Sequence, residues 1–184
     1  MQKQITELKL FQLNKEHQLL KQCQKGDRQA QMTLYEKYAH AMYQVSRNII
    51  KDEMKAEEAM QDAFLSAFEK MNEFKAEVTF GSWLKKIVIN KSLDYLRKDK
   101  MYQNTESADE LQLVEETEEI DLSEKIEAVK KAMNDLPENY RIILSLYYLE
   151  GYDYEEISEI LNLSYSNSRV MVNRAKNKLI TLLN

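Results

Sequence analysis

The sequence predicts an all-α protein of two small helical domains joined by an acidic linker, and three observations carry that prediction. Three glycines and one proline in 184 residues leave few interruptions to helix. Apolar residues recur at spacings of three and four through two blocks, residues 15–103 and 122–184. Between the blocks, residues 104–121 (NTESADELQLVEETEEID) hold eight acids and no base, and the periodicity stops there. Self-repulsion keeps such a segment extended, so it reads as a linker, although composition alone favours an ordinary solvated loop. Residues 1–14 are left as an N-terminal extension, in which Ile5, Leu8 and Phe11 can form the apolar side of a short helix.

In the first block, Leu34, Tyr35, Tyr38, Met42 and Val45 form one helical stripe. Ala56, Met60, Ala63, Phe64 and Ala67 form the next. NEFKAEVTFG breaks the pattern before SWLKKIVINKSLDYLRKDK, for which Ser82 is the expected N-cap. In that helix Leu84, Ile87, Val88 and Tyr95 read as core. Lys86, Asn90, Asp94 and Arg97 form a polar stripe, surrounded by Lys85, Lys91, Lys98 and Lys100. Trp83, beside Leu84 and Ile87, reads as buried rather than as a stacking platform.

The second block opens with a helix capped by Ser123, whose face is Ile126, Val129, Met133 and Leu136. Pro137 suits the first turn of the following helix, and Gly151 its C-terminal end. Tyr154–Leu161 and Ser164–Leu179 then read as two short helices around a tight turn, Asn162 to Ser164. Glu155, Glu156 and Glu159 make the first acidic, whereas Arg169, Arg174, Lys176 and Lys178 make the second basic. In a helix-turn-helix the second helix enters the major groove and the first crosses above it, so only the second must face phosphates closely. Its inward face is Ser168, Val172, Ala175 and Leu179. Its outward residues Ser166, Asn167, Arg169, Asn173 and Arg174, with Tyr165 and Lys176, can reach phosphates or base edges.

Net charge is −5, but the acidity belongs mainly to residues 104–121. Residues 1–103 hold 18 basic and 14 acidic residues, and residues 122–184 hold 8 and 9, so the local field does not exclude nucleic acid. The single cysteine, Cys23, excludes an internal disulfide framework and suits a reducing compartment. MQKQITELKLFQLN lacks the apolar core of a signal peptide, and no run is long enough to span a membrane, so a cytoplasmic protein is expected. His17 and His40 lie far apart in the sequence and read as surface residues. No metal-ligand spacing, phosphate-cradling loop or nucleophile motif is present, so no catalytic residue, metal or cofactor is expected.

LPENYRIILSLYYLEGYDYEEISEILNLS resembles the promoter-binding C-terminal domain of sigma factors of the extracytoplasmic-function type. LLKQCQKGDRQAQMTLYEKYAHAMY, KAEEAMQDAFLSAFEKMNEF and FGSWLKKIVINKSLDYLRK resemble, in order, successive segments of that family's other conserved domain. The resemblance implies a non-enzymatic protein that binds core RNA polymerase, directs it to promoter DNA and helps open the duplex; free, it is expected to be compact and inactive, with its two domains packed on each other or held by an anti-sigma protein. It places Glu58, Gln61 and Asp62 in a polymerase-binding helix. EFKAEVTFGS matches a loop that captures a flipped base of the minus-ten element, with Lys75, Thr79 and Phe80 as candidates and Lys86, Asn90 and Arg97 following. Tyr165, Ser166, Asn167, Arg169, Asn173, Arg174 and Lys176 fall to the upstream, minus-thirty-five element. The acidic linker would thread between the domains across the polymerase, where it could mimic nucleic acid.

Several positions depart from the family pattern. Asn162 stands where Gly is usual, Ser158 where Ala is usual, Ser168 where an inward apolar residue is usual, and Met171 where a basic residue is common. Two other readings fit parts of the chain. A stand-alone helix-turn-helix regulator explains the second block but not the first, and no heptad seam for its dimerisation is present. A helical interaction adaptor turns every basic stripe into a solvated face.

Overall fold

The computed structural model describes residues 15–102 and 122–183. They are helical throughout apart from short connections: α1 (15–24), α2 (Arg28–Ile49), α3 (Glu53–Glu69), a 3-10 turn (Met71–Glu73) and α4 (Phe80–Tyr102), then α5 (Leu122–Asp135), α6 (Glu138–Leu144), α7 (Tyr154–Leu161) and α8 (Tyr165–Leu183). The chain divides into two compact units, Met1–Tyr95 and Leu96–Asn184, and the division falls inside α4. The extension and the acidic segment, with the readings attached to them, lie outside the described residues.

In the first unit α2 and α3 form a helical hairpin, each started by an aspartate. Asp27 Oδ1 accepts from the amides of Gln29 (2.8 Å) and Ala30 (3.1 Å), and Asp52 Oδ1 accepts from Lys55 N (3.0 Å). These bonds satisfy amides that have no intrahelical partner. From α3 the buried residues are Ala56, Ala59, Met60, Ala63, Phe64 and Ala67. Alanine every third or fourth position lets α2 approach closely, and Leu34, Met42, Val45 and Ile49 fill the seam from the other side. Where α2 meets α4, Ser46 and Ser92 are both buried, their hydroxyls 3.0 Å apart. Ser92 Oγ also lies 2.8 Å from the Val88 carbonyl, so the buried hydroxyls are hydrogen-bonded.

The second unit is built around α8, which packs against α5, α6 and α7. Its core holds Ile142, Ile143, Leu144 and Leu146 with Ile157, Val172 and Ala175. Pro137 takes the N-cap position of α6 rather than its first turn. That helix widens into a π-turn, Ser145–Leu149, closed by Glu150 N donating to Ser145 O (3.0 Å). Tyr152 N then donates to Leu146 O (3.0 Å), a return that puts Gly151 at φ +78°, where a side chain would be strained.

Two expectations about α5 change. The helix begins at Leu122, which leaves Ser123 inside its first turn rather than at the N-cap. Ile126 and Val129 are exposed, at 49% and 41%, and Met133 is half-buried. Leu136 is buried as expected, and Ala132 is buried with it, so only the C-terminal end of the apolar stripe is covered. Periodicity locates an apolar face, but whether a neighbour reaches it depends on where the chain puts that neighbour.

Candidate nucleic-acid interface

The turn between α7 and α8 is built from local chemistry. Asp153 Oδ1 accepts from Glu155 N and Glu156 N, both at 2.9 Å, and Glu156 Oε2 accepts from Asp153 N at 3.0 Å. This reciprocal box explains much of the acidity of α7: Glu155 and Glu156 stand in its first turn, where the helix dipole favours negative charge. Its sequence signature is the D-x-x-E spacing of Asp153 and Glu156. Asn162 ends α7 at φ 54°, ψ 50°, the left-handed conformation for which glycine is otherwise preferred. Ser164 caps α8 by accepting from Asn167 N (3.2 Å), so α8 starts at Tyr165 and runs four residues past Leu179.

Ser168, Val172 and Ala175 of α8 are buried, and Leu179 is half-buried. The Ser168 hydroxyl is fully buried, within 2.8 Å of two main-chain oxygens, Tyr165 O in its own helix and Tyr154 O in α7. An inward serine here is therefore satisfied. On the other side, Tyr165, Ser166, Asn167, Arg169, Asn173, Arg174 and Lys176 are all exposed. Val170 was missed by the sequence reading: it is 46% exposed and one turn from Ser166, Asn173 and Arg174, in the middle of the polar face. Its signal was an apolar residue outside the inward 168–172–175 register.

Aromatic rings brace the start of α8. Tyr147 and Tyr154 stack with centroids 5.2 Å apart at 17°, and Tyr165 meets Tyr154 edge-on at 6.2 Å. A hydrogen bond with Tyr147, together with burial, raises the Tyr154 phenol above its ordinary pKa, against the pull of Arg169.

Lys86, Asn90, Asp94 and Arg97 are exposed along one side of α4, while Leu84 and Val88 are buried opposite. Of the surrounding lysines, Lys98 is exposed, Lys85 and Lys91 are half-buried, and the Lys100 side chain is outside the described residues. Ile87 is half-buried. Tyr95 is half-buried too, and its hydroxyl donates to Glu58 on α3 (3.0 Å).

Two expectations around the preceding loop are corrected. Thr79, not Ser82, caps α4: its Oγ1 accepts from Ser82 N (3.2 Å) and lies 2.8 Å from Ser82 Oγ. The helix therefore starts at Phe80. Phe80 was a candidate surface contact, yet it is only 2% exposed, with Tyr38, Phe74 and Trp83 rings at 5.5, 5.8 and 5.8 Å. As the first residue of α4 it turns inward, and burying a whole phenyl ring outweighs leaving it at the loop. Trp83 is half-buried against Phe74 (5.3 Å). Lys75 and Thr79 remain exposed, and Ala76 sits at φ 59°.

Beside this loop is a cavity of about 560 Å³, with Phe74, Val78, Phe80 and Lys85 on one side and Glu16, Leu20, Tyr38 and Met42 on another. Glu16 joins α1 to α2 by accepting from Lys37 Nζ (2.7 Å) and the Tyr38 hydroxyl (2.5 Å). Burial raises the Glu16 pKa, but these hydrogen bonds and the Lys37 charge outweigh it and hold the carboxyl below its ordinary value.

Glu58, Gln61 and Asp62 are exposed together on α3, with Gln61 Nε2 donating to Glu57 Oε1 (3.1 Å). Met54 (76% exposed) and Leu65 (62% exposed) share this face. Both were missed, although the 54–58–61–65 spacing places them there. Elsewhere His17 and His40 are exposed and Cys23 is buried, which pushes its thiol up to about 11. Among the described residues no group of three or more His, Cys, Asp or Glu could hold a metal ion, and no helix is long and apolar enough to cross a membrane.

Comparison with known proteins covers both units. Residues 34–101 match the family described as Sigma-70 region 2, and residues 126–179 match Sigma-70, region 4. The RNA polymerase sigma-H factor of Pseudomonas aeruginosa is 28% identical over 173 residues, covering 88% of this chain and 90% of that protein. The ECF RNA polymerase sigma factor SigM of Bacillus subtilis is 28% identical, covering 82% and 93%, and the ECF RNA polymerase sigma-E factor of Escherichia coli K12 is 29% identical, covering 86% and 88%. Among solved structures, RpoE in complex with the anti-sigma factor NepR from Bartonella quintana shares the fold, with TM-score 0.59, 22% identity and coverage of 83% and 95%. So does CnrH in complex with the cytosolic domain of CnrY, with TM-score 0.55, 23% identity and coverage of 90% and 94%. A stand-alone regulator or an adaptor leaves the region 2 match without explanation. With both regions in order and full-length relatives of one kind, the chain belongs to the sigma-70 family, as an alternative sigma factor of the extracytoplasmic-function type that acts in transcription initiation.

Proposed function

We propose that the two units divide the work of initiation, with residues 15–103 engaging core RNA polymerase and the minus-ten element, residues 104–121 linking, and residues 122–184 holding the minus-thirty-five element. The observation that carries this reading is the sidedness of α8. Every polar residue assigned to DNA is exposed on it, while Ser168, Val172 and Ala175 face inward. Arg169, Arg174 and Lys176 hold phosphates, and Ser166, Asn167, Asn173 and Val170 meet base edges. On α4, Lys86, Asn90 and Arg97 follow the DNA next to Lys75 and Thr79, with the Thr79 hydroxyl also serving as a helix cap. Phe80 acts from below, as the floor of that loop. Glu58, Gln61 and Asp62, flanked by Met54 and Leu65, dock on the polymerase.

On this reading the protein performs no catalysis of its own and works in the cytoplasm, where the chromosome is. An anti-sigma protein is its inhibitor, a reading supported by the fold shared with RpoE, which is held in a complex with the anti-sigma factor NepR. The exposed Ile126, Val129, Tyr148 and Leu149 of the second unit supply apolar surface for such a partner.

The test is transcription with core RNA polymerase and a library of promoter fragments. Sequenced run-off transcripts that need the protein, and that share two spaced elements upstream, are the expected result. Sequence-specific DNA binding with no polymerase-dependent transcript would instead return the stand-alone regulator.

A further inference from the structure

The loop before α4 hangs between two buried rings. Phe74 precedes it and Phe80 closes it, with centroids 5.8 Å apart, and Trp83 meets them at 5.3 and 5.8 Å. Between these anchors Ala76 is held at φ 59°, a conformation that costs any residue with a Cβ and persists where its surroundings enforce it. Tyr38 of α2 joins the cluster edge-on to Phe80 at 5.5 Å. Its ring lies so close to α4 that a Cβ on Gly81 would meet Cε1 at 3.0 Å. The far end of the ring is fixed from α1. The Tyr38 hydroxyl donates to Glu16 Oε1 (2.5 Å), while Glu16 Oε2 accepts from Lys37 Nζ (2.7 Å). A carboxylate acceptor makes the tie stronger than one between neutral groups. Glu16, Tyr38, Val78 and Thr79 all line the cavity of about 560 Å³, which gives the ring room to swing once its hydroxyl is released.

We propose that Glu16 is a positioning residue for promoter opening: through the Tyr38 ring it holds Phe80, and with it the loop that carries Lys75 and Thr79 to the minus-ten element. The inference rests on the reading of that loop as the minus-ten contact. Capturing an unstacked base favours a loop already in its binding shape, because ordering the loop during capture subtracts from the binding energy. The carboxylate of α1 supplies that order from outside the loop and outside α4. Glu16 acts through Tyr38 and need not touch DNA.

The experiment uses the full-length protein with core RNA polymerase on a promoter recovered by the run-off screen. A 2-aminopurine in the minus-ten element reports unstacking by its fluorescence. Tyr38→Phe keeps the ring and removes the hydroxyl, and Glu16→Ala removes the acceptor. Each should slow opening about tenfold and shrink the preference for the native minus-ten base over its substitutes about fivefold. Polymerase affinity should be unchanged, and thermal melting confirms that each variant is folded. Glu16→Gln, whose amide oxygen still accepts from the hydroxyl, should recover part of the loss. The double variant should be no worse than Glu16→Ala alone, because both changes break one tie. Lys75→Ala and Asn90→Ala, on the reading surface itself, are measured beside them. If those two lose minus-ten preference while the Glu16 and Tyr38 variants lose only melting temperature, the tie is structural and the proposal is refuted, with the loop reading intact. If none of the four alters minus-ten preference, the loop reading fails and the proposal with it. Fully additive losses in the double variant would also overturn it, since the two residues would then act separately.

Discussion

The Ser168 hydroxyl lies 2.8 Å from the main-chain oxygen of Tyr154, so α8 is hydrogen-bonded to the first turn of α7. A second acceptor, Tyr165 O, stands at the same distance. One hydroxyl proton is shared between a contact inside α8 and one across the turn. A polar residue on a buried face thereby ties α8 to α7.

Replacing that serine with alanine removes the donor from a fully buried position. Ser168→Ala should cost about 1 kcal/mol of stability, read as a lower melting temperature. It should also weaken binding to the upstream element, because α8 loses a tie to α7. Weaker melting with unchanged DNA affinity would mean that packing alone sets the helix angle.

The turn offers a test of sign. Asn162 occupies the left-handed region, which costs most residues about 1–2 kcal/mol. Asn162→Ala should therefore destabilise by about 1 kcal/mol, while Asn162→Gly should stay near neutral, since its relief of strain is offset by a freer unfolded chain. Chemical denaturation of the three proteins orders them.

On the DNA face, Arg174 and Val170 should fail in different ways. Arg174→Ala should weaken binding to all sequences and lower the slope of log affinity against log salt by about 1. Val170→Asn should leave that slope unchanged but alter preference at one base pair, because an apolar contact reads a thymine methyl group. A salt-slope change in Val170→Asn, or a sequence-specific loss in Arg174→Ala, would reverse these assignments.

Gly81 sits where α4 crosses Tyr38. An added Cβ would meet Tyr38 Cε1 at 3.0 Å, and that ring is held by the hydrogen bond to Glu16 and by Phe80. Alanine normally improves a helix, yet here overpacking dominates, and Gly81→Ala should lose about 1 kcal/mol. Calorimetric melting distinguishes the two effects by sign.

Cys23 should be inert in the folded protein. Burial first, then the nearby Asp27 charge, raises its thiol to about 11. Labelling with a thiol reagent at pH 8 should be slow until denaturant is added. Because the folded protein holds this proton more tightly than the unfolded chain, stability is fully present below about pH 9 and declines as pH rises toward 11. Rapid labelling of the native protein would contradict this burial.

Much of the architecture could be read before any fold was known, because its causes are local. The stripes on α2 and α3, Gly151 in its positive-φ turn, the left-handed Asn162 and the outward polar face of α8 all follow from residues within a few positions of one another. The capping boundary at Thr79 was misplaced because Thr79 and Ser82 are both good caps, and the inward turn of Phe80 decided between them.

The sequence by itself determined where helices form, which face of each is apolar, and that charge is concentrated at α8 and in residues 104–121. Tertiary structure alone decided what becomes of those faces. It buried Phe80 among Tyr38, Phe74 and Trp83, left Ile126 and Val129 exposed, gave Ser168 the Tyr154 oxygen, and tied Tyr38 to Glu16. The physical reason is range: backbone preference and periodicity act over one or two turns, whereas burial is settled by partners brought in from elsewhere along the chain.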